Sequence, residues 1–194
     1  MSPWSWFGIW SFIALAPIVH AWIRRTPISL AIGASLMLTY LFQATIKWVI
    51  DLNLFVQGAL IPAVAFEPEH LHRLISAAWL HADLFHLLGN VLVILLVGVP
   101  LEQRLGRGRF LTIYLIGVLG GNIGWTLANW ESWTLCIGAS GAAFGLLGCY
   151  LACWPRDEIE FPLILIRKWP VAWIALIKFA LEVMQYPTAT SNVA

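Results

Sequence analysis

The chain has 194 residues, of which 60% are hydrophobic and 11% charged, and its mean hydropathy is +0.81. A soluble domain carries about a quarter charged residues, so this composition excludes one and gives an integral membrane protein. A net charge of +1 offers no basic surface for nucleic acid, and Cys136, Cys149 and Cys153, all in or beside one apolar segment, suit packing rather than a disulfide framework.

A membrane-crossing helix takes about 20 apolar residues. Spans are predicted at residues 4–23, 28–50, 84–101, 110–129, 133–154 and 170–186. The start, Met1-Ser2-Pro3-Trp4, lacks the positive charge of a cleavable signal peptide; Arg24 and Arg25 follow the apolar run instead. Residues 54–66 are apolar but interrupted by Gly58 and Pro62, which predicts a loop in the membrane interface. Arg24 and Arg25, then Arg104, Arg107 and Arg109, then Arg156, Arg167 and Lys168 occupy alternate connections. The positive-inside rule makes that side cytoplasmic, with both termini on the outer side. Twelve tryptophans suit a chain with many membrane–water interfaces.

Two polar clusters stand in this apolar background. Ser140 follows Gly138 and Ala139 in the fifth span, and Gly141, Gly145 and Gly148 come after it at spacings of four and three. A helix N-terminus presents N–H groups without intrahelical acceptors, so a hydroxyl there has donors beside it for a developing oxyanion. His86 and Asn90, four apart, share one face of the third span, and Asp83 is placed to cap it. Hydroxyl, imidazole and amide at one depth are the parts of a nucleophile and its oxyanion donors. Hydrogen bonding between helices also accounts for the His86–Asn90 pair, and small-residue packing for Ser140. The glycine stripe either meets Gly117, Gly120, Gly121 and Gly124 of the fourth span or awaits another helix. His70, His72, His81 and His86 lack a metal-binding spacing, so no metal is expected. Lys178 and Glu182, four apart, are expected to pair with each other rather than line a transport pathway.

Gly138-Ala139-Ser140-Gly141, the run His81-Ala82-Asp83-Leu84-Phe85-His86-Leu87-Leu88-Gly89-Asn90, and Gly98-Val99-Pro100-Leu101-Glu102-Gln103-Arg104-Leu105-Gly106 together resemble the rhomboid family of intramembrane serine proteases, in that family's order and spacing. The resemblance runs from Arg73 to the C-terminus. It implies an all-α, polytopic membrane helix bundle in which residues 28–194 supply the first five core helices and residues 1–27 add an N-terminal span and a basic connection. It implies Ser140 as nucleophile, with His86 and Asn90 stabilising the oxyanion. It further implies structural roles near the site for His81, Gly138, Gly141 and Arg73, and for Glu102 and Arg104 at the cytoplasmic end of the third span. His72 stands where the family has the tryptophan that accompanies Arg73. The implied activity is cleavage of transmembrane protein substrates near the outer face of the lipid bilayer, without a cofactor, by a multi-pass protein of a prokaryotic plasma membrane.

The family's Ser–His dyad takes its histidine from the last core helix, whereas all five histidines here lie at or before His86 and the sequence ends at Ala194. The expectation is a protease that lacks its sixth core helix and is inactive as this chain alone. The alternative is a pseudoprotease that binds membrane helices without cutting them.

Overall fold

The computed structural model describes residues 2–161 and 165–191, with side chains described for 2–160 and 168–184. Helix α1 (Pro3–Arg24) is capped by Ser2, whose hydroxyl accepts the Ser5 N–H at 3.2 Å, and Pro3 sits in the first turn, where no donor is needed. Arg25, at φ 59°, ends it, and the chain turns into α2 (Ile28–Ile50). Pro27 gives α2 no capping side chain, and Glu102 supplies one from a distant part of the sequence. Its carboxylate accepts the Ile28 N–H at 2.7 Å, the Ser29 N–H at 2.8 Å and the Ser29 hydroxyl at 2.7 Å. A buried carboxylate at the positive end of a helix is thus held by both charge and hydrogen bonds.

Short helices follow: α3 (Phe55–Gly58), 3-10 turns at Pro62–Val64 and Pro68–His70, α4 (Arg73–Ser76) and a 3-10 turn at Ala77–Trp79. Buried Arg73 ties this outer segment together, donating to the Ala59 and Val56 carbonyls at 2.7 Å each. His72 Nε2 lies 2.9 Å from the Gln57 carbonyl, and its ring meets Trp4 and Phe7 of α1 edge-on, with centroids 6.0 and 5.8 Å away. The N-terminal helix therefore brings aromatic rings to the residue beside Arg73.

Asp83 caps α5 (Leu84–Leu105), accepting the His86 N–H at 2.9 Å. Gly106, at φ 82°, reverses the chain into α6 (Arg107–Ala128). Helix α7 (Ser140–Cys153) packs on α6 through glycines. A Cβ on Gly121 would stand 2.7 Å from Gly141 Cα, and one on Gly145 2.8 Å from Gly117 Cα, so the backbones touch. The two stripes pair through Gly117 and Gly121 on one side and Gly141 and Gly145 on the other, while Gly120 and Gly124 face open space. The groove expected for a further helix is already filled at Gly141 and Gly145, and only Gly148 faces open space on that stripe. An antiparallel hairpin, β1 (Glu158–Phe161) with β2 (Leu165–Pro170), precedes α8 (Val171–Ser191). The alternation in Glu158-Ile159-Glu160 fits this hairpin, in a connection expected only to be basic.

The architecture is an all-α membrane bundle apart from that hairpin. Among the described residues, α1, α2, α5 and α6 are long and apolar enough to cross a membrane. Helix α7 has only 14 residues, because the first part of the expected span, residues 133–139, hydrogen-bonds elsewhere. Leu60 and Cys136 exchange N–H···O bonds of 3.0 and 2.8 Å, and the Gly138 N–H donates to the Ala77 carbonyl at 2.9 Å. Irregular backbone is tolerated at membrane depth where protein satisfies it, as these bonds do.

Long-range contacts fix the two ends. Glu102 meets the start of α2, Arg107 donates to the Ala21 carbonyl near the end of α1, and Arg104 pairs with Asp157, beyond α7, at 2.6 Å. Arg24, Arg25, Arg104, Arg107 and Arg109 thereby gather at one end of the bundle. The first residues of α5 and α7 lie at the other.

Candidate active site

Ser140 is the first residue of α7, and Gly138 sets the backbone that leads to it. Gly138 has φ 116°, a conformation that residues with side chains rarely adopt. A Cβ there would stand 2.6 Å from His86 Cε1, 2.7 Å from His86 Nε2 and 3.6 Å from Asn90 Nδ2. The fold thus lays the imidazole and amide of α5 against the backbone two residues before the serine. Ser140 and His86 are both half-buried, so neither side chain is sealed off.

His81 completes the cluster. It is fully buried, with Asn90 Nδ2 3.2 Å and the Ala139 N–H nitrogen 3.4 Å from its Nε2, and Gln43 donates to its carbonyl at 2.8 Å. Two donors directed at Nε2 make that nitrogen the acceptor, so the ring is neutral and carries its proton on Nδ1. Burial, and then the neighbouring His86, bring the His81 pKa down from 6.5 to about 3.

These partners also orient the Asn90 amide. Its nitrogen faces His81 and Gly138, and its oxygen accepts a 2.7 Å hydrogen bond from Lys178 Nζ. Lys178 is 4% exposed and pairs with Glu182 one turn along α8. Sequence spacing shows the Lys178–Glu182 pair; it does not show that the ammonium reaches Asn90. The one available signal was a cation in the middle of an apolar helix, which in a membrane marks a functional position by default.

The remaining residues singled out from the sequence divide between two places. Gly141 serves the α6–α7 contact, and Arg73 and His72 hold the outer segment. Glu102 and Arg104 lie at the opposite end, where Arg104 also stacks over Tyr150 and Trp154 at 5.3 and 4.6 Å. The four histidines do not form one set: His70 lies 3.8 Å from Glu67 and His72 beside Gln57, whereas His81 and His86 meet edge-on at 5.1 Å.

The profile of the Rhomboid domain matches residues 68–194. The chain belongs to the rhomboid family. It is 39% identical over 102 residues to RHOMBOID-like protein 1 of Arabidopsis thaliana, covering 53% of this chain and 26% of that protein. It is 37% identical over 86 residues to Rhomboid-like protease 3 of Toxoplasma gondii, covering 44% and 32%. The protein named putative rhomboid protease YdcA of Bacillus subtilis is 46% identical over 79 residues, covering 41% and 39%. Each alignment takes in less than half of the relative's own length. No solved structure matches the chain. Membership of a protease-type family, with helices long enough to cross a bilayer, makes this rhomboid a multi-pass integral membrane protein.

Proposed function

We propose that this rhomboid is an intramembrane serine endopeptidase that cleaves transmembrane protein substrates near the outer face of the membrane, with Ser140 as the nucleophile. The observation that carries the proposal is the approach of His86 and Asn90 to the backbone at Gly138, two residues before Ser140, where a Cβ would stand 2.7 Å from His86 Nε2 and 3.6 Å from Asn90 Nδ2. A peptide carbonyl attacked by the Ser140 hydroxyl develops negative charge on its oxygen. The Ser140 N–H at the start of α7, the His86 ring N–H and the Asn90 amide are the donors gathered to receive it. A neutral His81 fixes one side of the Asn90 amide and Lys178 the other, so the donor does not have to reorganise as charge develops.

The attacking hydroxyl also needs a base. In the family that base is the dyad histidine, and no histidine follows His86 in this sequence. The 194 residues therefore supply the nucleophile and the oxyanion donors but not that imidazole, and alone they are expected to be inactive. The test is labelling by a fluorophosphonate probe, with and without added imidazole as an exogenous base. Labelling that rises with imidazole and disappears in Ser140→Ala supports the protease. A Ser140 that stays unlabelled under both conditions points to a pseudoprotease that binds membrane helices without cutting them. That alternative draws support from Lys178, whose Nζ is already engaged by both Asn90 and Glu182.

A further inference from the structure

A groove of about 670 Å³ opens at the basic end of the bundle, away from the Ser140 cluster. It is lined by Trp22 of α1, Leu105 of α5, and Gly108, Arg109, Thr112 and Leu115 among the α6 residues. From Arg109 to Leu115 the helix rises about 9 Å, so the groove is cationic at its mouth and apolar toward the middle of the membrane. Gly108 has open space where a side chain would stand, which gives the mouth its depth.

The charge at this mouth is not balanced by the protein. Among the described residues, Arg24, Arg25, Arg107 and Arg109 make no ion pair with a carboxylate. The acids at this end do not match them in number: Glu102 caps α2, Asp157 pairs with Arg104 and Glu160 with Lys168, which leaves Glu158, among the described residues, without an ion pair. Arg107 is fixed, its guanidinium 5.2 Å from the centre of the Trp22 ring and bonded to the Ala21 carbonyl. Arg25, three residues after Trp22, and Arg109 are exposed.

We infer that this groove is a binding site for one glycerophospholipid with an anionic headgroup. Guanidinium groups form forked, charge-assisted bonds with phosphate oxygens, and Trp22 sits where an indole is favoured at the headgroup boundary. The apolar wall from Leu105 to Leu115 then runs alongside the acyl chain. A zwitterionic choline lipid has the same phosphate, but its ammonium would face an uncompensated cluster of arginines. The headgroup without its chains would meet the charges but leave the wall bare. An occupying lipid would join α1 to the α5–α6 turn, whether or not Ser140 is a nucleophile.

The test uses the purified chain in neutral detergent, with lipid retention read by native mass spectrometry and thermal unfolding followed in parallel. Phosphatidylglycerol should be retained at one per chain and raise the melting temperature. Phosphatidylcholine with the same acyl chains, and glycerol phosphate alone, should do neither. Arg109→Gln combined with Arg25→Gln should weaken retention by about ten-fold or more, the size of one charge-assisted bond. Gly108→Leu, which keeps every charge and fills the mouth, should also weaken it. Equal retention of the two phospholipids by the unaltered chain would overturn the assignment, and that comparison needs no variant to fold. Undiminished phosphatidylglycerol retention by Gly108→Leu would overturn it too, as would stabilisation by glycerol phosphate equal to that by the lipid.

Discussion

Lys178 Nζ lies 2.7 Å from Asn90 Oδ1, so one buried ammonium joins α8 to the amide that faces the backbone before Ser140. The same ammonium bonds Glu182. Replacing it with methionine leaves a buried amide oxygen and a carboxylate without their donor. Lys178→Met should therefore destabilise the protein by about 1–3 kcal/mol. The double variant Lys178→Met, Glu182→Leu should recover part of that loss. Unfolding in detergent measures both, and full additivity of the two changes would show that the pair is not coupled.

The glycines predict a position-specific pattern. Gly138→Ala places a methyl group on the His86 ring at φ 116° and should cost about 1–3 kcal/mol. Gly145→Ala drives a methyl group into the Gly117 backbone and should cost a similar amount. Gly148→Ala meets open space and should be neutral or slightly stabilising, through the better helix propensity of alanine. Melting temperatures of the three single variants check the order.

His81 gives a pH dependence whose sign is fixed. Its pKa in the fold is lowered, chiefly by burial, from 6.5 to about 3, so between those values the unfolded chain binds a proton that the folded one does not. The stability it contributes is complete above pH 6.5 and is lost as pH falls toward 3, by up to about 1.4 kcal/mol per pH unit. Unfolding measured between pH 7.5 and 5 should show the slope, and His81→Gln should flatten it.

Activity should follow the inventory of groups. A serine without a general base loses on the order of a hundred- to ten-thousand-fold in rate. The 194 residues reconstituted in vesicles should show no cleavage of a transmembrane substrate above background. Ser140-dependent cleavage by these residues alone would mean that another group, such as Lys178, acts as the base.

Much of this was legible in the sequence because membrane constraints are simple. Apolar length located α1, α2, α5 and α6, the i, i+4 spacing placed His86 and Asn90 on one face, and Asp83 reads as a cap. What was not legible depended on pairing between distant segments. The shortness of α7 follows from the Leu60–Cys136 backbone bonds, which no local pattern encodes. A glycine stripe does not name its partner, and only the fold shows that Gly117 and Gly121 fill the groove at Gly141 and Gly145. Likewise the cap of α2 comes from Glu102, more than seventy positions away in sequence.

The 14 residues of α7 rise about 21 Å, against about 30 Å of hydrocarbon. An α7 that begins its rise at one boundary, with Cys153, would carry Ser140 to about 9 Å short of the other. For a protease, a hydroxyl anchored at that depth acts as a ruler. The bond it reaches is set by how far down the substrate hangs from the outer interface as well as by the side chains that flank it. Inserting two leucines on the outer side of a cleavage position should leave the cut at the same depth, shifted by two residues toward the outer end of the substrate.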